Sequence, residues 1–565
     1  MSLRRSAVAL CAALATSVSL LAPAHAAIVD DPVVHSAPGA ALSLAPIVNF
    51  ETGIFEVSAA EIVAHHAASQ RVLTVNAQSG QIDILDISDP TTPVKVASVD
   101  GGAGTTINSV DVRADGLAVA TVEPATKTDA GTLLFFDAAA EQPVPLGEVT
   151  VGALPDMVTI TQDGAYALVA NEGEPATDFS VDPEGSVSVV SLPETVTAAT
   201  DADVRTADFR AYNAPGALPE GVRVFGPEGT ESTVAQNLEP EYITVQGGTA
   251  YVSLQENNAL AVVDVETATV TDILPLGTVD HSVVPLDVSD RDGSINITTW
   301  PVKGHLMPDS IASYEAGGVT YIVTANEGDA RDWEAYSEEA RVKHFGDADR
   351  GIAPLCEDFN GMTAEEIADL QKDENLGRLT VTTADGYNEE RGCYDEIYSF
   401  GSRGFSIVDE NGERVFNSDD QFEQITALAS PEYFNSNHRE ANLEGRSDDK
   451  GPEPEGVTLG EIDDRSYAFI GLERIGGIMV YDVTDPAGAT FVTYVNNRDF
   501  TAPADSPQAG DLGAEGLVFV PAADSPNGEN LVIVGNEVSG TTTIFEITTA
   551  TDPALSSLSS LSSRG

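Results

Sequence analysis

Residues 451–482 read GPEPEGVTLGEIDDRSYAFIGLERIGGIMVYD. An acid, Glu455, opens a short apolar run, Asp463-Asp464 marks a turn, and a second apolar run ends on another acid, Glu473. A third run, GIMVYD, follows a glycine pair. Short apolar-alternating runs broken by Asp and Gly turns are the signature of strands joined by tight hairpins.

The same pattern recurs along the chain. Residues 107–137 hold INSVDVRADGLAVATVE and then TLLFFD, and residues 154–192 hold LPDMVTITQDGAYALVANE and then GSVSVVSL. EPEYITVQGGTAYVSLQE with NALAVVDV fills 239–265. MPDSIASYEAGGVTYIVTANE, 307–327, has its third run displaced to 404–409, GFSIVD. AEGLVFVPAADSPNGENLVIVGNE with TTTIFEI fills 514–547, and 61–87 is a degenerate early copy. With the opening stretch these make seven units. Such a unit cannot bury both faces of its sheet alone, so its repetition implies radial stacking: an all-β fold, a seven-bladed β-propeller with long loop insertions. A solenoid is the competing architecture, but solenoid repeats are usually shorter and more uniform.

The domain limits follow. Residues 1–26 read as a secretory signal peptide: Arg4-Arg5, an apolar run to about Leu21, then Ala24-His25-Ala26. Residues 27–45 read as a linker and 46–550 as the propeller, with insertions at about 195–233, 334–400 and 411–450. The tail 551–565 reads as flexible and Ser-rich. Residues 47–57, IVNFETGIFEV, precede the first unit and are expected to complete the last blade. The segment TAEEIADLQK, 363–372, is the one convincing helix. No second apolar stretch suggests a membrane span in the mature protein, which is expected to be secreted, extracellular or cell-wall associated. Its two remaining cysteines, Cys356 and Cys393, are expected to form a disulfide that staples a local excursion.

Ninety acidic against 27 basic residues give a net charge of −63. Repulsion excludes nucleic acid and anionic membranes as partners. Dissolved cations, mineral, an extracellular macromolecule or a phosphoester remain. An acidic surface suited to salty surroundings explains most of the charge, so composition alone establishes no metal site.

Position is more informative. Acids begin the first run of the repeats at Asp156, Glu241, Asp309, Glu455 and Glu515, with Glu61 and Asn108 in the matching places. Acids end the second run at Glu123, Glu172, Glu256, Glu327, Glu473 and Glu537. In an antiparallel hairpin the start of one strand and the end of the next share an end. Because first strands line a propeller's channel, these acids are expected to ring one of its mouths. Strand-end carboxylates also cap loops, and that structural role competes for each acid taken singly. A whole ring repels itself unless cations neutralise it. Arg331, Arg403 and Arg474 are candidate counter-charges; a bound divalent cation, calcium, is the other solution.

The densest cluster is NEGDARDW, 326–333, facing Asp448, Asp449, Lys450, Glu453 and Glu455. The candidate metal ligands are therefore Glu327, Asp329, Asp332, Glu453, Glu455 and Glu473. Zinc is disfavoured, since His65-His66 are adjacent and the other histidines scattered. No EF-hand loop appears. Asp309-Ser310 imitates a phosphatase nucleophile, yet the repeat already explains Asp309, and no Gly-x-Ser-x-Gly elbow occurs. His305 is the weak candidate for an acid or base, against the simpler reading of a structural histidine.

The stretches NEGDARDW (326–333), SDDKGPEPEGV (447–457), FIGLERIGGIMVYD (469–482) and GAEGLVFV (513–520) resemble the choice-of-anchor I proteins. These are secreted bacterial propeller-like proteins similar to the mesenchyme-specific cell-surface glycoproteins associated with biomineralisation. The resemblance covers about 46–547. It implies an extracellular binding or structural protein, and some members carry an alkaline-phosphatase label. The chain lacks the family's evident C-terminal anchor. Two functions therefore stand: a calcium-binding extracellular propeller with an acidic channel mouth, or a metal-dependent phosphoesterase in which metal-held carboxylates activate water.

Overall fold

A computed structural model describes residues 28–550 except 228, 230 and 231. The signal peptide read at 1–26 and the tail at 551–565 lie outside the described residues.

The repeats fold as antiparallel sheets whose strands follow one another outward. Val63–His66, Arg71–Asn76, Gln81–Asp86 and Val94–Asp100 make the first sheet; Thr106–Val112, Leu117–Glu123, Ala130–Asp137 and Pro145–Ala153 the next. Pro155–Ile160, Tyr166–Asn171, Ser186–Ser191 and Val204–Asp208 follow, then Ile243–Gln246, Thr249–Leu254, Ala259–Asp264 and Thr269–Pro275. Ile311–Ala316 and Val319–Ala325 continue, after a long excursion, with Phe405–Asp409 and Arg414–Asn417. The opening stretch supplies Pro454–Ile462, Arg465–Leu472 and Ile478–Asp482, extended by Thr490–Asn496. Ala514–Val520, Asn530–Asn536 and Thr541–Thr549 end the series.

Each sheet buries both faces against its neighbours, as strands apolar on alternate positions of both faces must. Ile82 and Ile84 of the first sheet pack with Ala118, Ala120 and Phe136 of the second. Phe405 packs edge-on against Tyr481, ring centroids 4.7 Å apart. Val72 and Leu85 of the first sheet pack with Ile533 and Ile544 of the last. The series of sheets therefore closes on itself, and the architecture is an all-β propeller.

The N-terminal segment seals that closure. Leu42–Glu51 runs antiparallel to Thr541–Thr549 as the outer strand of the last sheet. Val33–Ser36 adds a fifth strand beside Thr490–Asn496. Of the stretch 27–45 read as a linker, the described residues 28–45 therefore contribute strands to the propeller. Its small residues and prolines hide alternation, but buried Leu42 and Leu44 pack in the core between the last two sheets. The long connections are likewise only partly insertions: Val204–Asp208 and Arg414–Asn417, inside the expected 195–233 and 411–450, are outer strands.

The largest excursion builds its own layer. Glu339–Arg341, Thr380–Thr382 and Tyr398–Ser399 join Thr278–Asp280 and Lys303–His305 in a mixed sheet that begins earlier in the chain than the expected insertion, 334–400. The helix Ala364–Leu370 starts on a capping box, Thr363 with Glu366. Two helices, Val234–Asn237 and Gln421–Ala429, were hidden in the polar connections. Cys356 and Cys393 are joined in a disulfide, Cα atoms 5.0 Å apart. Among the described residues no helix is long and apolar enough to cross a membrane.

Candidate functional site

A local irregularity aims the acids. In the first strands one residue of the second strand faces two of the first, with register shifts at 107–110, 155–158, 454–457 and 514–517. The same two-for-one step precedes three other strands. Val75 accepts from the Glu61 N–H and donates to Ile62, Ser253 serves Glu241 and Tyr242 likewise, and Ala325 serves Asp309 and Ser310. Such bulges re-aim a side chain and are fixed by the ladder around them. The residue so turned is Glu61, Asn108, Asp156, Glu241, Asp309, Glu455 or Glu515.

The residue after each of these faces the channel. Ile62, Ser109, Met157, Tyr242, Ser310, Gly456 and Gly516 line one central cavity of about 310 Å3. Two are glycine for a steric reason: a Cβ on Gly456 would lie 1.7 Å from the Glu515 carbonyl oxygen, and one on Gly516 2.7 Å from that of Glu61. The Glu-Gly pairs of the sequence thus bring neighbouring first strands, and their carboxylates, close together.

Burial is the main cause of the shifted acidities of these residues. It pushes Glu61 up to about 8, with Glu537 and Asp156 adding to it against a hydrogen bond from Ser58. Asp156 is pushed up to about 7, by burial and then Glu123. Glu172, Glu241, Glu256, Asp309, Glu455 and Glu515 are all held well above the usual carboxylate range, by burial and then by other carboxylates. Burial also raises Glu123 and Glu537. The carboxylates act on one another between sheets: Asp309 feels Asp156, and Glu515 feels Asp309. Tyr242 lies between them, its hydroxyl driven well up by burial and then by Asp309, Glu515, Asp156 and Glu455.

Four of these acids, Glu241, Glu256, Glu455 and Glu515, keep one buried carboxylate oxygen without a hydrogen-bond partner. A loop cap would spend those oxygens on backbone N–H groups. Ligand atoms of Glu61, Glu515 and Glu537 lie within 4.8 Å of one another, as do those of Glu327, Glu453 and Glu473. At that spacing two full charges repel by about 3 kcal/mol at an effective dielectric near 20.

The second trio is already neutralised. Lys450 Nζ lies 2.6 Å from Glu327 and 3.4 Å from Glu453. Arg446 reaches Glu453 at 2.7 Å, and Arg474 reaches Glu453 at 2.9 Å and Glu473 at 2.7 Å. Burial raises Glu453, but Lys450, Arg446 and Arg474 outweigh it and hold its carboxyl at about 2. Burial, opposed by Arg474, leaves Glu473 up at about 8.

The remaining sequence candidates scatter. Asp329 has an exposed side chain 3.6 Å from Lys450. Asp332 is exposed on a small hairpin, Asp332–Trp333 against Tyr336–Ser337. Glu455 is raised by burial and then by Glu473 and Glu515. Of the candidate counter-charges, Arg474 serves Glu453 and Glu473, Arg331 binds Glu239 at 2.5 Å, and Arg403 binds Glu423 at 2.6 Å. Asp448 is tied to Arg341 and Arg378, each at 2.5 Å. His305 stacks on Tyr398 and meets Asp385 at 3.1 Å, and burial lowers its pKa.

Sequence reading missed Tyr242, Arg446, Glu239 and the buried Arg223 with its partner Glu338, at 2.5 Å. Tyr242 was legible in principle, since it occupies the position after the acid. The pairs Arg331–Glu239 and Arg223–Glu338 join segments more than 90 residues apart, and no local pattern marks them.

Residues 61–486 match a family described as "Choice-of-anchor I domain". The chain is 29% identical over 198 residues to gigasin-3a of Magallana gigas, covering 32% of this chain and 68% of that protein. It is 28% identical over 285 residues to the mesenchyme-specific cell surface glycoprotein of Strongylocentrotus purpuratus, covering 46% of this chain but only 36% of that one. The WD40 domain of Toxoplasma gondii coronin aligns at TM-score 0.43 and 9% identity, over 93% of this chain and 90% of its own.

Proposed function

The chain belongs to the choice-of-anchor I family, and from that premise we propose that it is an extracellular binding protein whose acidic channel mouth holds calcium. The extracellular location is supported by the words "cell surface" in the name of one relative and by the disulfide, which persists in oxidising compartments. The scaffold is read as seven blades. The cyclic contacts of first strands support this, with Ala514–Val520 touching both Val63–His66 and Pro454–Ile462.

One observation carries the cation reading: Glu241, Glu256, Glu455 and Glu515, each next in sequence or across the hairpin to a residue lining the central cavity, keep a buried carboxylate oxygen without a partner. None of the four has an ion pair among the described residues. Oxygen-only donors suit a hard divalent ion. The trio Glu61, Glu515 and Glu537, with Glu455 beside it, is the best-placed set, because Glu327 and Glu453 already hold Lys450. The site is a binding site first; bound cation stiffens the mouth and presents it to partners.

Calorimetry of chelator-stripped protein with calcium tests this. Binding at about 0.1–1 mM, the range of extracellular calcium modules, is expected. No heat of binding and no rise in melting temperature would end the proposal. Calcium-dependent hydrolysis of a phosphomonoester, lost in Glu455→Gln, would replace the binding reading with the enzymatic one.

A further inference from the structure

The ring of acids is not continuous. On one side it is broken where the repeat substitutes neutral residues: Asn108 takes the first-strand place and Ala77 the place after the second strand Arg71–Asn76. On the other side Lys450, Arg446 and Arg474 bind Glu327, Glu453 and Glu473. Two lobes remain whose acids make no ion pair among the described residues. One contains Glu61, Glu515 and Glu537. The other contains Glu172, Glu241 and Glu256, carried by the two sheets that lie across the channel.

We infer that the mouth holds two cations, and that the second sits at Glu172, Glu241 and Glu256. This rests on the cation reading of the mouth given above. Glu241 and Glu256 are 8% and 6% exposed, and each keeps one carboxylate oxygen without a partner. Glu172 and Glu256 are among the carboxylates that act on Glu241. Arg331 acts on Glu256 from a distance, but its hydrogen bonds go to Glu239, to Asn237 O at 2.7 Å and to Phe225 O at 3.0 Å. The three acids are not among the groups whose ligand atoms converge within 4.8 Å. Such wider spacing suits an ion that keeps part of its water shell, whose water protons reach the outlying oxygens. Magnesium retains its waters more firmly than calcium, so this lobe takes magnesium as readily as calcium, whereas the tighter trio prefers calcium.

The experiment is calorimetric titration of the chelator-stripped full-length protein with calcium, and then with magnesium. It compares wild type with Glu256→Gln and Glu515→Gln, with melting curves to establish that each variant is folded. Two calcium ions per chain are expected for wild type and one for each variant. Magnesium should bind to Glu515→Gln and lose at least tenfold in affinity for Glu256→Gln. A stoichiometry of one, unchanged by Glu256→Gln and abolished by Glu515→Gln, overturns the second site and leaves the first. A stoichiometry of one abolished by Glu256→Gln alone overturns the two-site division and relocates the cation. No binding at all defeats both readings. Should Glu256→Gln fail to fold, Glu241→Gln serves in its place with the same outcomes.

Discussion

Replacing Glu61 by glutamine separates a cation ligand from a loop cap, because the two roles predict opposite signs. Burial and its carboxylate neighbours push Glu61 from about 4.5 to about 8. A carboxyl raised in this way contributes most to stability below its unfolded value, and that contribution fades as pH rises through the folded one. Without metal, the protein should therefore lose stability between about pH 4.5 and 8. Holding one such proton at pH 8 costs about 5 kcal/mol against an unfolded value of 4.5. Glutamine escapes that cost and leaves Glu537 and Asp156 easier to ionise, but it weakens the hydrogen bond from Ser58, so a net gain of about 2–4 kcal/mol at pH 8 is the expectation. Roughly 500 folded residues release about 1 kcal/mol per kelvin of entropy on melting, so the gain reads as about 2–4 °C. At pH 4.5 variant and wild type should melt together. Calcium at a hundred times its dissociation constant should raise wild type by about 2.7 kcal/mol and the variant by much less. Scanning calorimetry in chelator and in calcium, at both pH values, makes the measurement. If Glu61→Gln melts lower than wild type at pH 8 in chelator, the carboxylate is capping structure and the reasoning fails.

Two other outcomes follow from the same arrangement. Lys450→Met removes the ammonium between Glu327 and Glu453, so buried charge is left uncompensated. Denaturant unfolding at pH 7 should register a loss of about 3–5 kcal/mol, and unchanged stability would mean the cluster is solvated. Replacing both Cys356 and Cys393 by serine opens a link across 37 residues, which the chain-entropy account values at about 4 kcal/mol. Because that link lies within the excursion, limited proteolysis should cut there sooner while the main melting transition holds; early loss of the whole propeller would contradict a local role.

The repeat made the propeller readable because each strand pair carries its turn and its acids in a fixed order, and burial on both faces leaves short apolar runs. What stayed hidden depends on partners distant in sequence. Residues 47–51 were expected to complete the last blade, but the start of the same strand, 42–45, looked like a linker because its pairing strand, Thr541–Thr549, lies nearly 500 residues away. The acids were legible as a set, but their individual fates were not. Glu453 and Glu455 stand two residues apart, yet one is held at about 2 by three basic groups and the other is pushed far up by burial and Glu473. Glu453 has φ of 51°, an uncommon backbone for a glutamate, and this turns it out of the strand toward Lys450 and Arg474. No spacing rule announces that turn.

The bulge explains why the protein keeps such costly groups. A flexible loop would relax until its carboxylates found water or arginine, so unpartnered oxygens at a mouth require a backbone that cannot yield. Here each aimed acid is held by a two-for-one step in a strand whose neighbours are fully paired, and Gly456 and Gly516 bring the strands too close to shift. Repulsion is thus held in a rigid frame, where the cation we propose would relieve it. The basic cluster at Glu327, Glu453 and Glu473 sets the limit of that design: where the chain needs no ion, it supplies its own lysine and arginines. The lobes whose acids make no ion pair among the described residues are the places where it does not.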